Sequence, residues 1–568
     1  LGPKRSEQAR SASRRRFAPE CATPRGQRAS EACEAMCGIW ACVGLGRCDV
    51  RDMYSRFMKM QARGPDKSSF IVEGDVAMGF HRLAIRDTSH KGDQPFTLRV
   101  GDRVIRWLCN GELYEYEKLV DKYNLSFKLQ STSDCEIIGH IYLAIGIEGL
   151  CREIMGGEFA CVIIDDGVIH CIRDPLGVRP MFVGYDSHGI IISSEVKGMH
   201  GIISPQLIKQ MPHGSIFTYS PENVSLRKYY NDSWPLNLAT VSETDVLAGV
   251  RDTLIASVES MMYSDRPIGA LLSGGLDSSL VVAIASRYLA RFGQQLHTFS
   301  IGMPGSTDGK YAAMVAKHCN TIHTHIECEV SDFLGAVREV VRVIESPDIT
   351  TVRASTGQYL VSKIIAEKYG IKVLLIGDGS DELLGGYLYF HKAPTLEDFH
   401  AENCKLLREI KYYDVLRADR GVAGNGMEAR VPFLKHTFVD YIMNVSPLLR
   451  VPRNGMEKWL LRAAFSSGDY LPTEVLYRKK EAFSDGVSSV ENSWYTILQR
   501  HADSIITDEE FNSARNSYEH FVPPTKEALL YLRIYSQHYP GTLHLVPHYW
   551  LPNWVGNITE PSARILSI

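Results

Sequence analysis

Residues 268–279 read IGALLSGGLDSS, and LVVAIASRYLARF (280–292) follows at once. A short apolar run, a polar glycine turn and an amphipathic run in immediate succession predict a strand that feeds a helix. The rhythm recurs downstream. LHTFSIG (296–302) and KVLLIG (372–377) read as strands, and STGQYLVSKIIAEKYG (355–370) reads as a helix between them. Strand and helix in alternation predict an α/β domain built on a parallel sheet. A second glycine loop, GDGSDE (377–382), follows the second strand. Loops at the carboxyl ends of adjacent strands line one crevice in such sheets.

The two loops differ in chemistry. Gly274 and Gly275 let backbone N–H groups approach an anion. The helix start after them leaves N–H donors unpaired, and Ser273, Ser278 and Ser279 add hydroxyls. SGGLDSS therefore suits a phosphate, although an ordinary serine-capped strand-to-helix turn has the same composition. It lacks the G-K-[ST] of a kinase-type loop. GDGSDE brings carboxylates, and Mg²⁺ is the ion that joins carboxylates to phosphate oxygens. Between the loops, VRVIESPDITTVRAS (341–355) gathers Glu345, Asp348, Thr350, Thr351 and Arg353. Arginine beside threonines suits a small carboxylate, which a guanidinium grips with two hydrogen bonds. A solvated helix end would look the same.

Upstream, residues 36–230 have a different texture. Short β-like runs (GIWACVG, VAMGFHRLAIRD, EFACVIIDD, PMFVGY) are separated by turns such as RGPD and DDG. They predict a layered sheet domain. Residues 232–243 read as a linker, and the α/β half is placed at 244–568. Residues 1–35 hold eight Lys/Arg, four Glu and one Phe. Such a segment cannot bury enough apolar surface to fold.

Composition excludes several classes. The chain of 568 residues is 45% hydrophobic with a net charge of -4, which gives no bulk attraction to nucleic acid. Thirteen cysteines carry no C-x-x-C spacing, so reduced thiols are expected rather than a disulfide framework or zinc site. No apolar run approaches the roughly 18 residues of a membrane span. A cytosolic protein is expected.

Cys37 precedes the first strand. If Met36 is removed, Cys37 carries a free α-amine of pKa near 8, which could act as base for its own thiol. The expectation is that Met36 is the true start and that residues 1–35 are absent from the active protein. Arg82 could grip an α-carboxylate, Asn110 and Gly111 could donate to an oxyanion, and Asp134 could pair with an α-ammonium.

Longer blocks carry a resemblance. MCGIW, ARGPD, GFHRLAIRD, NGELY, SDCE and RDPLGVRPMF resemble the class II glutamine amidotransferase domain. SGGLDSS, TFSIGM, ESPDITTVRAS, GDGSDELLGGYLYFHKAP, DVLRADR, MEARVPFL, GMEKWLLR and RKKEAFSDG resemble the synthetase domain of glutamine-hydrolysing asparagine synthetases, with a eukaryotic-like tail. The match runs in order from Met36 onward. It implies an α+β N-terminal-nucleophile domain of αββα layers, followed by an ATP-pyrophosphatase-like α/β domain.

The resemblance also implies roles. Cys37 would attack the glutamine amide. Arg82, Leu83, Ala84, Ile85, Arg86, Asn110, Gly111, Glu112 and Asp134 would hold glutamine. ATP would meet Leu272, Ser273, Gly274, Gly275, Asp277, Ser278, Ile301, Ile376 and Gly377, and Mg²⁺ would meet Asp277 and Asp381. Thr350, Thr351 and Arg353 would bind aspartate. Glu345, Asp378 and Lys458 would serve the intermediate, a β-aspartyl-AMP to which ammonia is delivered inside the protein. A homodimer is implied as well.

Three positions depart from the family pattern: Ala62 for histidine, Cys109 for tyrosine and Asp378 for glutamate. A β-lactam synthetase would share the adenylating fold but would not need Cys37 with its partners. A glutamine-fed phosphoribosyltransferase would have no use for SGGLDSS. A non-catalytic scaffold would not need Cys37, both loops and Lys458 together.

Overall fold

The computed structural model describes residues 37–44, 49–239, 241–556 and 558–565. The expectations for residues 1–35 and Met36 fall outside them.

Two antiparallel six-stranded sheets form the first half. One runs in the order β10 (Ile208–Gln210), β8 (Phe182–Asp186), β9 (Gly189–Ser193), β1 (Gly38–Val43), β3 (Val76–Arg82), β2 (Lys67–Glu73). The other runs β12 (Val224–Lys228), β11 (Ser215–Tyr219), β7 (Val168–Arg173), β6 (Glu158–Asp165), β5 (Arg103–Glu112), β4 (Phe96–Val100). Strand alternation builds the layers. In β1, Ile39 and Ala41 join Leu108, Ala160 and Val162 of the facing sheet in one core. Trp40 and Cys42 point the other way, onto Met53 and Phe57 of helix α1 (Val50–Met58). In β5, Ile105 and Trp107 pack on Ile137, Ile138 and Ile141 of α3 (Ile137–Ile154), which α2 (Tyr116–Lys122) precedes. The result is the expected αββα arrangement. Burying each such side chain is worth about 1.5–3 kcal/mol.

The second half carries a five-stranded parallel sheet, β15 (Ile322–Glu327), β14 (His297–Gly302), β13 (Ile268–Leu271), β16 (Val373–Leu375), β17 (Glu428–Arg430). The central strands β13 (IGAL) and β16 (VLL) are continuous apolar runs, as strands covered on both faces are, whereas the outer strands β15 (IHTHIE) and β17 (EAR) carry polar side chains. α4 (Glu243–Ser260) leads in, capped by Ser242 on the Asp245 N–H. α5 (Leu276–Ala290) and α6 (Asp308–His318) follow β13 and β14. α7 (Val330–Ile344) opens on a reciprocal Glu329/Asp332 cap. α8 (Ile349–Tyr369) is capped by Asp348, which accepts from Thr351 N at 2.8 Å, and stops at Gly370 with φ 65°. Replacing Asp348 by alanine should cost that helix start about 1 kcal/mol. β13 and β16 are hydrogen-bonded neighbours, so their loops meet.

The halves meet along a buried polar seam within one compact unit, Cys33–Ile568. Arg63 pairs with Glu195 and, across the seam, with Asp419, at 2.8 Å each. Arg179 bridges Glu158 at 2.9 Å and the Ala429 carbonyl at 3.0 Å. Asp265 accepts from Asp87 N at 2.8 Å. Breaking one such pair strands a buried charge, at about 3–5 kcal/mol.

Candidate active sites

The front site forms where β3 and β5 end. Cys37 is half-buried, and its sulfur lies 3.4 Å from the Leu83 N–H and 3.5 Å from the Leu83 carbonyl. Burial pushes the thiol well up, so it rests protonated and needs a base. Arg63 Nε fixes the Cys37 carbonyl at 3.0 Å. Its neighbour Ala62 is exposed, so that departure leaves the cysteine's hold intact. Cys109 sits buried with both its backbone groups on the Gln94 side chain.

Asn110 is fully buried, yet neither side-chain atom has a hydrogen-bond partner. Arg86 Nε and Nη1 are also unpartnered. Arg86 Nε lies 2.9 Å from Glu112 Oε2 but off the hydrogen-bonding direction, and its guanidinium stacks over Tyr263 at 4.3 Å. Burial and the Asp134 charge hold Glu112 well above the usual carboxylate range. Asp134 accepts from Leu113 N at 2.6 Å. Gly111 has φ 149°, and a Cβ there would come within 2.0 Å of the Glu158 carbonyl. So many unmet buried groups mark a place that a polar ligand completes.

Arg82 departs from expectation. Its two terminal nitrogens are spent on the carbonyls of Arg86, Asp87 and Ser89 and on Asp93 at 2.7 Å. It braces the turn after β3 instead of offering a free fork to a carboxylate.

The second site is a cleft with about 1660 Å³ of free space open to solvent. Leu272, Ser273, Gly275, Asp277, Ser278, Ile301, Ile376, Gly377, Asp378, Asp381 and Lys458 all line it. Gly274 turns the loop behind that surface at φ +75°, where a Cβ would come within 2.4 Å of Ala312 N. Ser273 and Ser278 bond each other at 3.0 Å, and Ser273 Oγ accepts from Gly275 N at 3.2 Å. The start of α5 thus faces the cleft with a hydroxyl rim.

Opposite charges meet at its floor. Lys458 Nζ lies 2.6 Å from Asp277 and 2.7 Å from Asp381, and Lys480 Nζ lies 2.5 Å from the other Asp381 oxygen. Burial opposes the charge on Asp381, but Lys458 and Lys480 outweigh it and keep its pKa below the ordinary range. Among the described residues no three His, Cys, Asp or Glu side chains form a ready metal cage. Two carboxylates aimed at one cation beside an anion loop are nonetheless the donor set Mg²⁺ takes with phosphate oxygens, so the residues fit that ion.

Three expected residues are occupied elsewhere. Glu345 lies outside the cleft. It accepts from Val196 N and Lys197 N at 2.9 Å each and pairs with Arg420, pinning the halves together. Thr351 is buried, with its N–H and hydroxyl both on Asp348. Arg353 lines the cleft, but at 3% exposure its guanidinium already holds two carboxylates, Glu527 (2.6 and 2.8 Å) and Glu560 (2.9 Å), so it is not a vacant receptor. Thr350 lines the cleft and bonds the Trp550 carbonyl at 3.3 Å. Asp378 is gripped by Arg417 at 3.0 Å.

The structure adds Lys480, Arg478 and Arg417 to this wall. RKKEAFSDG and DVLRADR had given these no individual role. A run of three basic residues, Arg478 to Lys480, in a loop without periodicity is the signal the sequence offers for Lys480.

Known proteins sharpen the picture. The asparagine synthase family matches residues 249–410 and 395–560, and the glutamine amidotransferase domain matches residues 36–234. The chain is 40% identical over 561 residues to an asparagine synthetase [glutamine-hydrolyzing] of Gallus gallus, covering 94% of this chain and 98% of the relative. The Homo sapiens protein of that description is 39% identical over 563 residues, covering 94% and 99%.

Proposed function

The chain belongs to the glutamine-hydrolysing asparagine synthetases, and on that premise we propose how its residues divide the work. It is a ligase that makes asparagine from aspartate with ATP, taking nitrogen from glutamine. We assign the glutaminase to residues 36–230 and the synthetase to 244–568.

At the front site, Cys37 Sγ attacks the glutamine side-chain carbonyl carbon. Asn110 and the Gly111 N–H hold the oxyanion, and ammonia leaves as a thioester forms. Water then releases glutamate. Arg86 and Asp134 face the amino-acid end. The base is the Cys37 α-amine once Met36 has been removed. An intact mass of the active protein that still includes Met36 would count against that base.

In the cleft, an aspartate β-carboxylate oxygen attacks the α-phosphorus of ATP and pyrophosphate leaves. Ammonia displaces AMP from the resulting β-aspartyl-AMP. Bound Mg²⁺ would neutralise phosphate charge from Asp277 and Asp381. Lys458, Lys480 and Arg478 supply positive charge, and the SGGLDSS loop supplies N–H and hydroxyl donors. The single observation that carries this reading is the convergence of the two loops on one ammonium, Lys458, at the cleft floor. No described helix is long and apolar enough to cross a membrane. On the family resemblance alone we place the enzyme in the cytosol as a homodimer.

The test is pyrophosphate release from ATP. It should require aspartate and should yield asparagine with either glutamine or ammonium. Release that ignores aspartate would contradict the reading.

A further inference from the structure

The last described residues, 558–565, do not trail away. Pro561, Ser562 and Ala563 line the synthetase cleft. Glu560 sits on Arg353, and Ser562 Oγ donates to Asp485 at 2.8 Å. Arg564 donates to Glu481 Oε1 at 2.6 and 3.2 Å and to the Ser489 carbonyl at 2.7 Å.

Glu481 stands between two arginines. Its other oxygen, Oε2, accepts from Arg478 at 3.1 Å and from Thr307 Oγ1 at 2.7 Å. Arg478 reaches on to Asp308 at 2.8 Å and to the Ser273 carbonyl of the SGGLDSS loop at 3.3 Å. Lys480, in the same loop, reaches Asp381. Residues 478–482 lie in neither a helix nor a strand. Backbone bonds fasten the two ends, Arg478 N to the Val475 carbonyl at 3.1 Å and the Ala482 carbonyl to Asp485 N at 2.9 Å, and side-chain contacts set where Arg478 and Lys480 point between them.

We propose that the C-terminal segment is part of the synthetase site, with Arg564 a positioning residue that sets, through Glu481, the loop presenting Arg478 and Lys480 to the phosphates. The proposal rests on reading the cleft as the ATP site. Without the Arg564 fork, Glu481 keeps one arginine of two, and the loop loses its tie to the tail. A displacement near 1 Å in groups that hold reacting phosphates is costly.

The experiment uses the full chain with ammonium as nitrogen source. R564Q should raise the KM for ATP at least about tenfold, by the scale of such misplacements. The KM for aspartate and the glutaminase rate should stay within about twofold, since neither site part touches Arg564. R564K, which keeps the charge and loses the fork, should recover part of the loss. E560Q, loosening the same segment at its other end, should also raise the KM for ATP. Unchanged KM for ATP in both R564Q and E560Q would overturn the proposal. So would glutaminase activity falling in parallel, which signals general unfolding. Wild type measured alongside separates the two readings. A wild type that releases no pyrophosphate overturns the ATP-site reading and this proposal with it, whereas an active wild type with R564Q and E560Q both indifferent overturns the proposal alone.

Discussion

Single residues carry the chemistry, and their surroundings say which substitutions separate the two reactions. Cys37 is held by Leu83 and lies in a different sheet system from the cleft. Cys37→Ala should abolish asparagine formation from glutamine and keep that from ammonium. Glutamine-dependent synthesis surviving the change would remove Cys37 as nucleophile. Asp381 bears Lys458 and Lys480 at once. Asp381→Asn removes the charge that both lysines and a bound Mg²⁺ would share. ATP–pyrophosphate exchange should fall at least about 100-fold, on the scale of lost electrostatic contacts, with glutaminase turnover kept. Exchange unchanged across a Mg²⁺ titration would sink the assignment. Asp277, Asp378 and Asp381 were legible as cleft-lining because each sits in the turn after a strand or in the first turn of the helix that follows, where geometry is local. Arg353 was read as a free grip for a small carboxylate or a solvated helix end, and not as a pair already made inside the protein. Its partners Glu527 and Glu560 lie 174 and 207 residues away, and no local pattern announces them.

At the scale of elements, β13 with α5 and β16 with its loop could be read directly, because a continuous apolar run followed by a glycine turn has few other folds. The end of α7 could not. Glu345 turns the chain at φ 55° and carries its carboxylate to the Val196 and Lys197 N–H groups in the other half. The one-turn 3₁₀ helix Ile410–Tyr412 makes a testable case of buried charge. Burial pushes Lys411 down to about 7; Arg173 and Lys228 act the same way, while Glu409 and Asp232 oppose. A lysine whose folded pKa is lowered binds fewer protons folded than unfolded between pH 7 and its unfolded value. Its cost to stability is therefore full below pH 7 and fades as pH rises, by up to about 1.4 kcal/mol per unit. Lys411→Met should melt above wild type at pH 6.5, and the gap should close toward pH 10. A gap independent of pH would mean that Lys411 is charged in the folded protein throughout.

The whole molecule joins the two sites through charge rather than through grease alone. Arg63 touches the Cys37 carbonyl and reaches across to Asp419, and Arg430 of β17 lies 3.5 Å from Glu112 while its carbonyl accepts from Ile376 N, at the base of the second loop. Both sites thus hang on one seam, and the proposed transfer of ammonia inside the protein is what an isotope experiment tests. The layers of each half were legible from strand texture and βα rhythm. The seam was not, because its pairs join residues hundreds of positions apart. The most direct test of the account supplies glutamine labelled with ¹⁵N in the side-chain amide, together with aspartate, ATP and a large excess of unlabelled ammonium at a pH where free ammonia is scarce. Asparagine formed by wild type should carry ¹⁵N far above the label fraction of the bulk ammonium. Asparagine whose label merely equals that of the bulk pool would contradict the transfer of nitrogen from one site to the other.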